Sequence, residues 1–456
     1  MTYTSYVQQR LEHLLNSFDS IERRDALAEL VRRLKLGQMP IPPPKEEVNL
    51  HFHTFFSFNA NGWSPGRIAW ESVKYGLEVS GIVDFDVLDG MDEFLEAGEL
   101  LGLKTVAGLE SRVFVSELAD KVMSSPNEPG IAYFMAGGCF KRPPAGSEAS
   151  RTLQSMAETA RERNLALVGR VNAYLDPVVL DYESDAIPLT PSGNATERHL
   201  LQAYDSKARE VFGCCTPELT EFWAEKLGAP EEEITALLGD TPKFHEKIRS
   251  KLMKFGGVGY VPPTSGSFPC VEDAIKMMRG MDALPMITWL DGTNAGEEDT
   301  DALLELLISK GCVSLNIIPD RNWNIKNPDE KALKTRKLRE VVEGARKFHL
   351  PISVGTEMNK AGLPFVDAFD SDELAPYRRD FVDGARCLYG HTVLARYADF
   401  GYFSDKAQAA FEDDRAARNA FYAKVGREFI PPALARESLS RLSEPGEILS
   451  VVGVLE

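Results

Sequence analysis

A chain of 456 residues, 43% apolar and 26% charged, is long enough to bury a sizeable core and to exceed one average domain. Its formal net charge of −18 argues against a broad nucleic-acid or anionic-membrane footprint, but leaves open a small phosphorylated ligand, which needs only local positive charge. No stretch approaches the roughly 20 apolar residues of a membrane span, and the charged start has no signal-like apolar core. The cysteines (Cys139, Cys214, Cys215, Cys270, Cys312, Cys387) show no metal-ribbon spacing, so a reduced, cytoplasmic protein is expected.

In chain order, residues 6–36 carry leucines at helical spacing (Leu11, Leu14, Leu15, then Leu27, Leu30, Leu34), and a proline-rich connector covers 37–44. A helical cap over 1–45 is expected. A strand–helix rhythm then begins: a strand at 48–53, a helix opened by Ser64-Pro65, a strand at 79–83, a helix over 91–101 stopped by Gly102, and a strand at 104–107. Further strands are expected at 111–115, 131–136 and 165–168, the last after a helix at 152–164. Residues 217–255 read as a charged helical insertion, assigned to 205–256. The rhythm resumes with strands at 285–289, 313–318 and 352–354 alternating with helices at 271–281, 299–310 and 329–348. A barrel over 46–365 and a helical extension over 366–456, with helices at 373–388 and 405–422, complete the reading.

Chemistry gathers at strand ends. Alternation on a strand puts His51 and His53 on one face, and two imidazoles there suit zinc, manganese or iron. The next strands end in Asp84-Phe85-Asp86 and Gly108-Leu109-Glu110, all on the same side of an expected parallel sheet. In β/α barrels that side carries the active site.

These motifs resemble the PHP (polymerase and histidinol phosphatase) family. His51-Phe52-His53-Thr54 is similar to its H-x-H-T, Asp84-Phe85-Asp86 to its T-D-H-D, and Gly108-Leu109-Glu110 to its G-x-E. Glu197-Arg198-His199-Leu200 resembles its R-P-H segment, and Gly355-Thr356-Glu357-Met358-Asn359 its G-S-D-x-H. The resemblance implies an α/β fold, a distorted TIM-like (β/α)7 barrel whose members hydrolyse phosphate esters with up to three metals. It maps one metal position onto His51, His53, Glu110 and Glu357. The other two positions are depleted: Phe58 or Asn61, Phe85, Asn359, the neighbourhood of Tyr133, and Thr288-Trp289-Leu290-Asp291-Gly292 stand where ligands would be. One divalent ion (Mn, Zn or Fe) is therefore expected.

With fewer metals, phosphate charge has to be met by basic side chains, for which Arg170, Arg198, Lys360 and Arg321 are the candidates. His199 is the candidate acid/base, since imidazole titrates near neutrality. Asp84 and Asp86 either orient a histidine ligand or cap the loop that follows. His13, His245, His349 and His391 read as structural or solvated. The leading expectation is a phosphoesterase acting on a small phosphorylated metabolite. The alternative is a catalytically inactive PHP-derived protein that binds a ligand or partner. An amidohydrolase-like C–N or C–O hydrolase ranks last, for want of a later pair of strand-end histidines.

Overall fold

Strands form where the apolar runs lie: β1 (Lys45–Phe52), β2 (Leu77–Phe85), β3 (Lys104–Phe114), β4 (Ile131–Cys139), β5 (Leu284–Trp289), β6 (Ser314–Ile317) and β7 (Ile352–Val354). The computed structural model describes residues 3–452, apart from 215, 265, 429–435 and 438. The strands hydrogen-bond in chain order. The sheet curls until β7 meets β1, where the His53 amide donates to the Glu357 carbonyl at 2.9 Å and Phe52 bridges Glu357. The result is a nearly closed, distorted TIM-like α/β barrel of seven strands.

Two expectations about the sheet need correction. The runs at 104–107 and 111–115 form one continuous strand, β3. The sheet is also not all parallel, because β4 runs antiparallel to both β3 and β5. The connection over 115–130 contains no helix beyond the three-residue turn Ser116–Leu118, whereas a parallel return usually runs through a crossover helix.

Helices α1 (Tyr3–Leu14) and α2 (Ser20–Lys35) lie against α3 (Pro65–Tyr75) and α4 (Met91–Leu101), where Arg23 grips both oxygens of Glu93. The start of α3 is capped by Ser64, which accepts from the Arg67 amide, with Pro65 just inside the helix. The expected strand at 165–168 does not exist; α5 (Glu148–Leu175) is a single helix through it. Val168, Val171 and Leu175 are buried at helical spacing while Leu165 is 38% exposed, so the short apolar run belonged to a helical face.

The latter half of α5 leaves the barrel core for a second one. There Val168, Tyr204, Trp223 and Phe244 pack among α6 (Glu197–Phe212), α7 (Pro217–Leu227), α8 (Glu231–Leu238) and α9 (Thr241–Leu252). This core begins upstream of residue 205, so the insertion shares α5 with the barrel. Helices α10 (Val271–Gly280), α11 (Thr300–Lys310), the short α12 (Asp320–Trp323) and α13 (Pro328–Lys347) then alternate with β5, β6 and β7.

Helix α14 (Arg378–Tyr397) starts and ends later than the expected helix at 373–388. It crosses the end of the barrel opposite His51: Arg386 pairs with Glu78 and Glu46 at the starts of β2 and β1. A Cβ on Gly384 would sit 2.1 Å from the Ile352 carbonyl oxygen, so glycine is what allows this approach. The expected helix at 405–422 is two, α15 (Asp405–Phe411) and α16 (Arg415–Glu428), with Glu412 between them in the left-handed region. A last helix, α17, spans Pro445–Val451. Among the described residues, no helix is long and apolar enough to cross a membrane.

Candidate metal centre

Residues facing each other across the strands define the barrel's inner face at the open mouth. Phe85 lies beside Glu110, Glu110 opposite Met135, and Arg112 opposite Tyr133. Into this mouth β1 delivers His51 and His53, both without solvent exposure.

His51 Nε2 and His53 Nε2 each lie 3.2 Å from Glu110 Oε2. The hydrogen bonds behind His53 identify which of its nitrogens is free. Thr54 donates its amide to Asp84 Oδ1 (2.8 Å) and its hydroxyl to Oδ2 (2.7 Å), and Ser57 Oγ donates to Oδ1 (2.6 Å). Burial pushes the Asp84 carboxyl up, and the Ser57 and Thr54 donors pull it down. With the Ser57 proton directed at Asp84, its oxygen accepts from His53 Nδ1 at 3.2 Å. His53 Nε2 then carries a lone pair facing a carboxylate oxygen, an arrangement that repels unless a cation or proton lies between. Burial alone would raise the Glu110 carboxyl, yet the two histidines hold it well below the usual carboxylate range.

Glu357 supplies a further donor. Its ligand oxygen and one nitrogen each of His51 and His53 lie within 4.8 Å of one another. Glu357 and Met358 both sit at positive φ (64° and 51°), strained backbone that persists only when the surroundings hold it. Arg321 Nη2 donates to both Glu357 oxygens, at 2.9 and 2.7 Å. The 3.2 Å spacings at Glu110 are of hydrogen-bond length, and the donor atoms that gather closely enough to share an ion are those of His51, His53 and Glu357, with Glu110 against both imidazoles. Two imidazoles and two carboxylates suit zinc, manganese or iron.

Aromatic rings stand beside these ligands. Phe85 stacks on His53 with centroids 4.4 Å apart, and Phe58 meets His199 edge-on at 5.2 Å. His199 is the third residue of α6, and its Nδ1 accepts from the Thr196 amide at 3.1 Å. Burial brings its pKa down to about 4, so it is neutral at neutral pH. Asp86 accepts from the Ser111 hydroxyl, and burial pushes its carboxyl up.

The basic candidates separate. Arg170 lies on α5 and donates twice to the Gly259 carbonyl, within the connection that follows α9. Arg198 pairs with Glu246, and Lys360 is exposed within electrostatic reach of that carboxylate. Arg321 alone of the four contacts a proposed ligand. Sequence reasoning passed over Ser57, one helical turn's spacing from His53, and Arg112, two positions beyond Glu110. It also passed over Asn194, whose amide donates to the Phe56 and Phe85 carbonyls (3.0 and 2.9 Å) and pins both loops of the mouth.

No family model matches the chain. A stretch of 102 residues, 22% of the chain, is 30% identical to an error-prone DNA polymerase of Nocardia farcinica, and the match spans 8% of that protein's length. Among solved structures, the chain is similar to an amidohydrolase from Chromobacterium violaceum with bound sulfate and no metal (TM-score 0.46, 14% identity, 73% of this chain and 96% of that one). It is also similar to a protein of Bifidobacterium adolescentis described as a metal-dependent phosphoesterase (TM-score 0.45, 16% identity, 75% and 98%). Similarity at this level carries no activity with it.

Proposed function

We propose that this chain is a metal-dependent phosphoesterase that acts on a small phosphorylated metabolite with a single divalent ion. The observation that carries this reading is the gathering of His51, His53 and Glu357 donor atoms, with Glu110 against both imidazoles and Arg321 on Glu357. A divalent ion held there supplies Lewis-acid stabilisation and a water of lowered pKa. The chain's own residues supply the rest. Asp84 and Ser57 fix the His53 tautomer. Arg321 is 41% exposed along its side chain and has donors beyond the Nη2 used on Glu357 to offer a phosphoryl oxygen.

The aromatic ring stacked on His53 favours a second reading, a protein that binds a ligand without turning it over. One set of measurements separates the two. Protein purified without chelator is assayed for metal and for hydrolysis of a phosphoester panel, beside His51→Ala/His53→Ala. About one equivalent of transition metal and turnover, both lost in the variant, supports the phosphoesterase. Metal-loaded protein inert across the panel leaves the binding reading, and two or three equivalents overturn the single-ion assignment.

A further inference from the structure

Past the metal ligands, the mouth holds more positive charge than its carboxylates directly match. Arg112 lies on the same face of β3 as Glu110, two residues and so about 7 Å further along. Arg112 and Arg163 (from α5) each place their guanidinium carbon 4.3 Å from the centre of the Phe268 ring. Arg112 pairs with Glu128 at 2.9 Å. Arg163 has no ion-pair partner among the described residues, and its one hydrogen bond is a 3.4 Å contact to the Ser267 carbonyl. Arg249 pairs with Glu197, and Lys254 reaches that same carboxylate only at 3.9 Å. Glu246 lies 3.9 Å from Arg249 but is already paired with Arg198, so these four cations share three carboxylates as direct partners, in a chain whose net charge is −18.

These groups lie within electrostatic reach of one another: Arg112 acts on both Arg163 and Lys254, and Arg249 on Lys254. Lys254 keeps 47% of its side-chain surface open, yet burial is the leading influence lowering its pKa. Burial and then the neighbouring Arg112 bring Arg163 down to about 10. The cluster adjoins the metal centre: Tyr133, opposite Arg112 on β4, is within electrostatic reach of Arg112, Arg249 and Glu110, and Arg321 of both Tyr133 and Glu110.

We infer that Arg112, Arg163, Arg249 and Lys254 form a second anion subsite, which holds a phosphate-sized oxyanion of the substrate beside the metal centre. The preferred substrate then carries two anionic groups, one reacting and one held. The choice of substrate rests on the phosphoesterase reading; the subsite itself does not. Arg163, lacking a carboxylate of its own, gains one partner when the oxyanion binds.

The test uses the full chain stripped of metal, titrated with inorganic phosphate by calorimetry. One phosphate per chain is expected, weakened at least about tenfold by Arg163→Met and by Lys254→Gln. Lys347→Gln removes the same charge from a surface ion pair with Asp301, outside the cluster, and should leave the affinity within about twofold. If Arg163→Met does not fold, the exposed Lys254→Gln decides. No binding, or equal loss in Lys347→Gln, overturns the subsite. Phosphate binding that follows this pattern in a protein inert toward phosphoesters keeps the subsite and removes the phosphoesterase reading.

Discussion

Asp84 acts on His53 through a single hydroxyl: Ser57 Oγ donates to Asp84 Oδ1 at 2.6 Å and accepts from His53 Nδ1 at 3.2 Å. Ser57→Ala removes the relay while Thr54 still gives Asp84 two hydrogen bonds. The fold should therefore survive, with metal affinity falling about 10–100-fold, the usual cost of losing a group that orients a ligand. Competition against a calibrated chelator reads this directly. An unchanged affinity would show that the hydroxyl does not hold His53 for the ion.

Arg321 and the ion both draw on Glu357. Arg321→Met should leave the metal content near that of the parent protein, because His51, His53 and Glu110 remain. Phosphoester turnover should fall at least about tenfold in kcat/KM through loss of a charged donor to the phosphoryl group. Loss of the metal along with the activity would instead make Arg321 a support for Glu357 alone.

His199 titrates near 4 because it is buried, and its Nδ1 is occupied by the Thr196 amide. The pH–rate profile of His199→Ala should keep the parent's inflections between pH 5 and 8. The variant should lose about 1–2 kcal/mol of stability through the broken helix cap. A missing limb in that profile would restore the acid/base role.

Asp367 is 3% exposed, and among the described residues no side chain donates to its carboxylate, which only the nearby Asp320 amide pulls down. Burial, aided by Asp320, pushes it up to about 7. The folded pKa lies above the unfolded one, so the native state binds the extra proton. Its stability therefore declines as pH rises from about 4 to about 7, and is level above that. Asp367→Asn should flatten this decline and stabilise the protein at pH 8, by at most about 4 kcal/mol. Denaturant melts of both proteins at pH 5 and pH 8 measure the difference, and parallel pH dependence would remove the assignment.

How far the sequence could be read depended on the length scale involved. The period-two rule placed His51 and His53 on one face, and the strand-end rhythm brought Glu110 to them. Glu357 was reachable only by resemblance, because its strained, irregular backbone follows no period. The direction of β4 does not show in its own apolar residues; the missing crossover helix before it was the available clue. The run at 165–168 is too short to separate strand from helix by itself, and only the spacing out to Leu175 does so. Arg112 was within reach of the same alternation that placed Glu110. Arg163, Arg249 and Phe268 were not, because they reach the cluster from α5, α9 and the segment before α10.

The seal that α14 makes across the lower end of the barrel turns the molecule into a vessel with one doorway. His391 and Leu388 press against Gly138 and Gly137 of β4, where a single added Cβ would lie 2.5 and 2.9 Å from them. With that end shut, whatever reaches His51 and His53 must enter and leave by the same mouth, so occupants would have to take turns. Helix α14 is thus the stopper of the vessel, and a protein cut just before it would leave the apolar lower end of the barrel open to water.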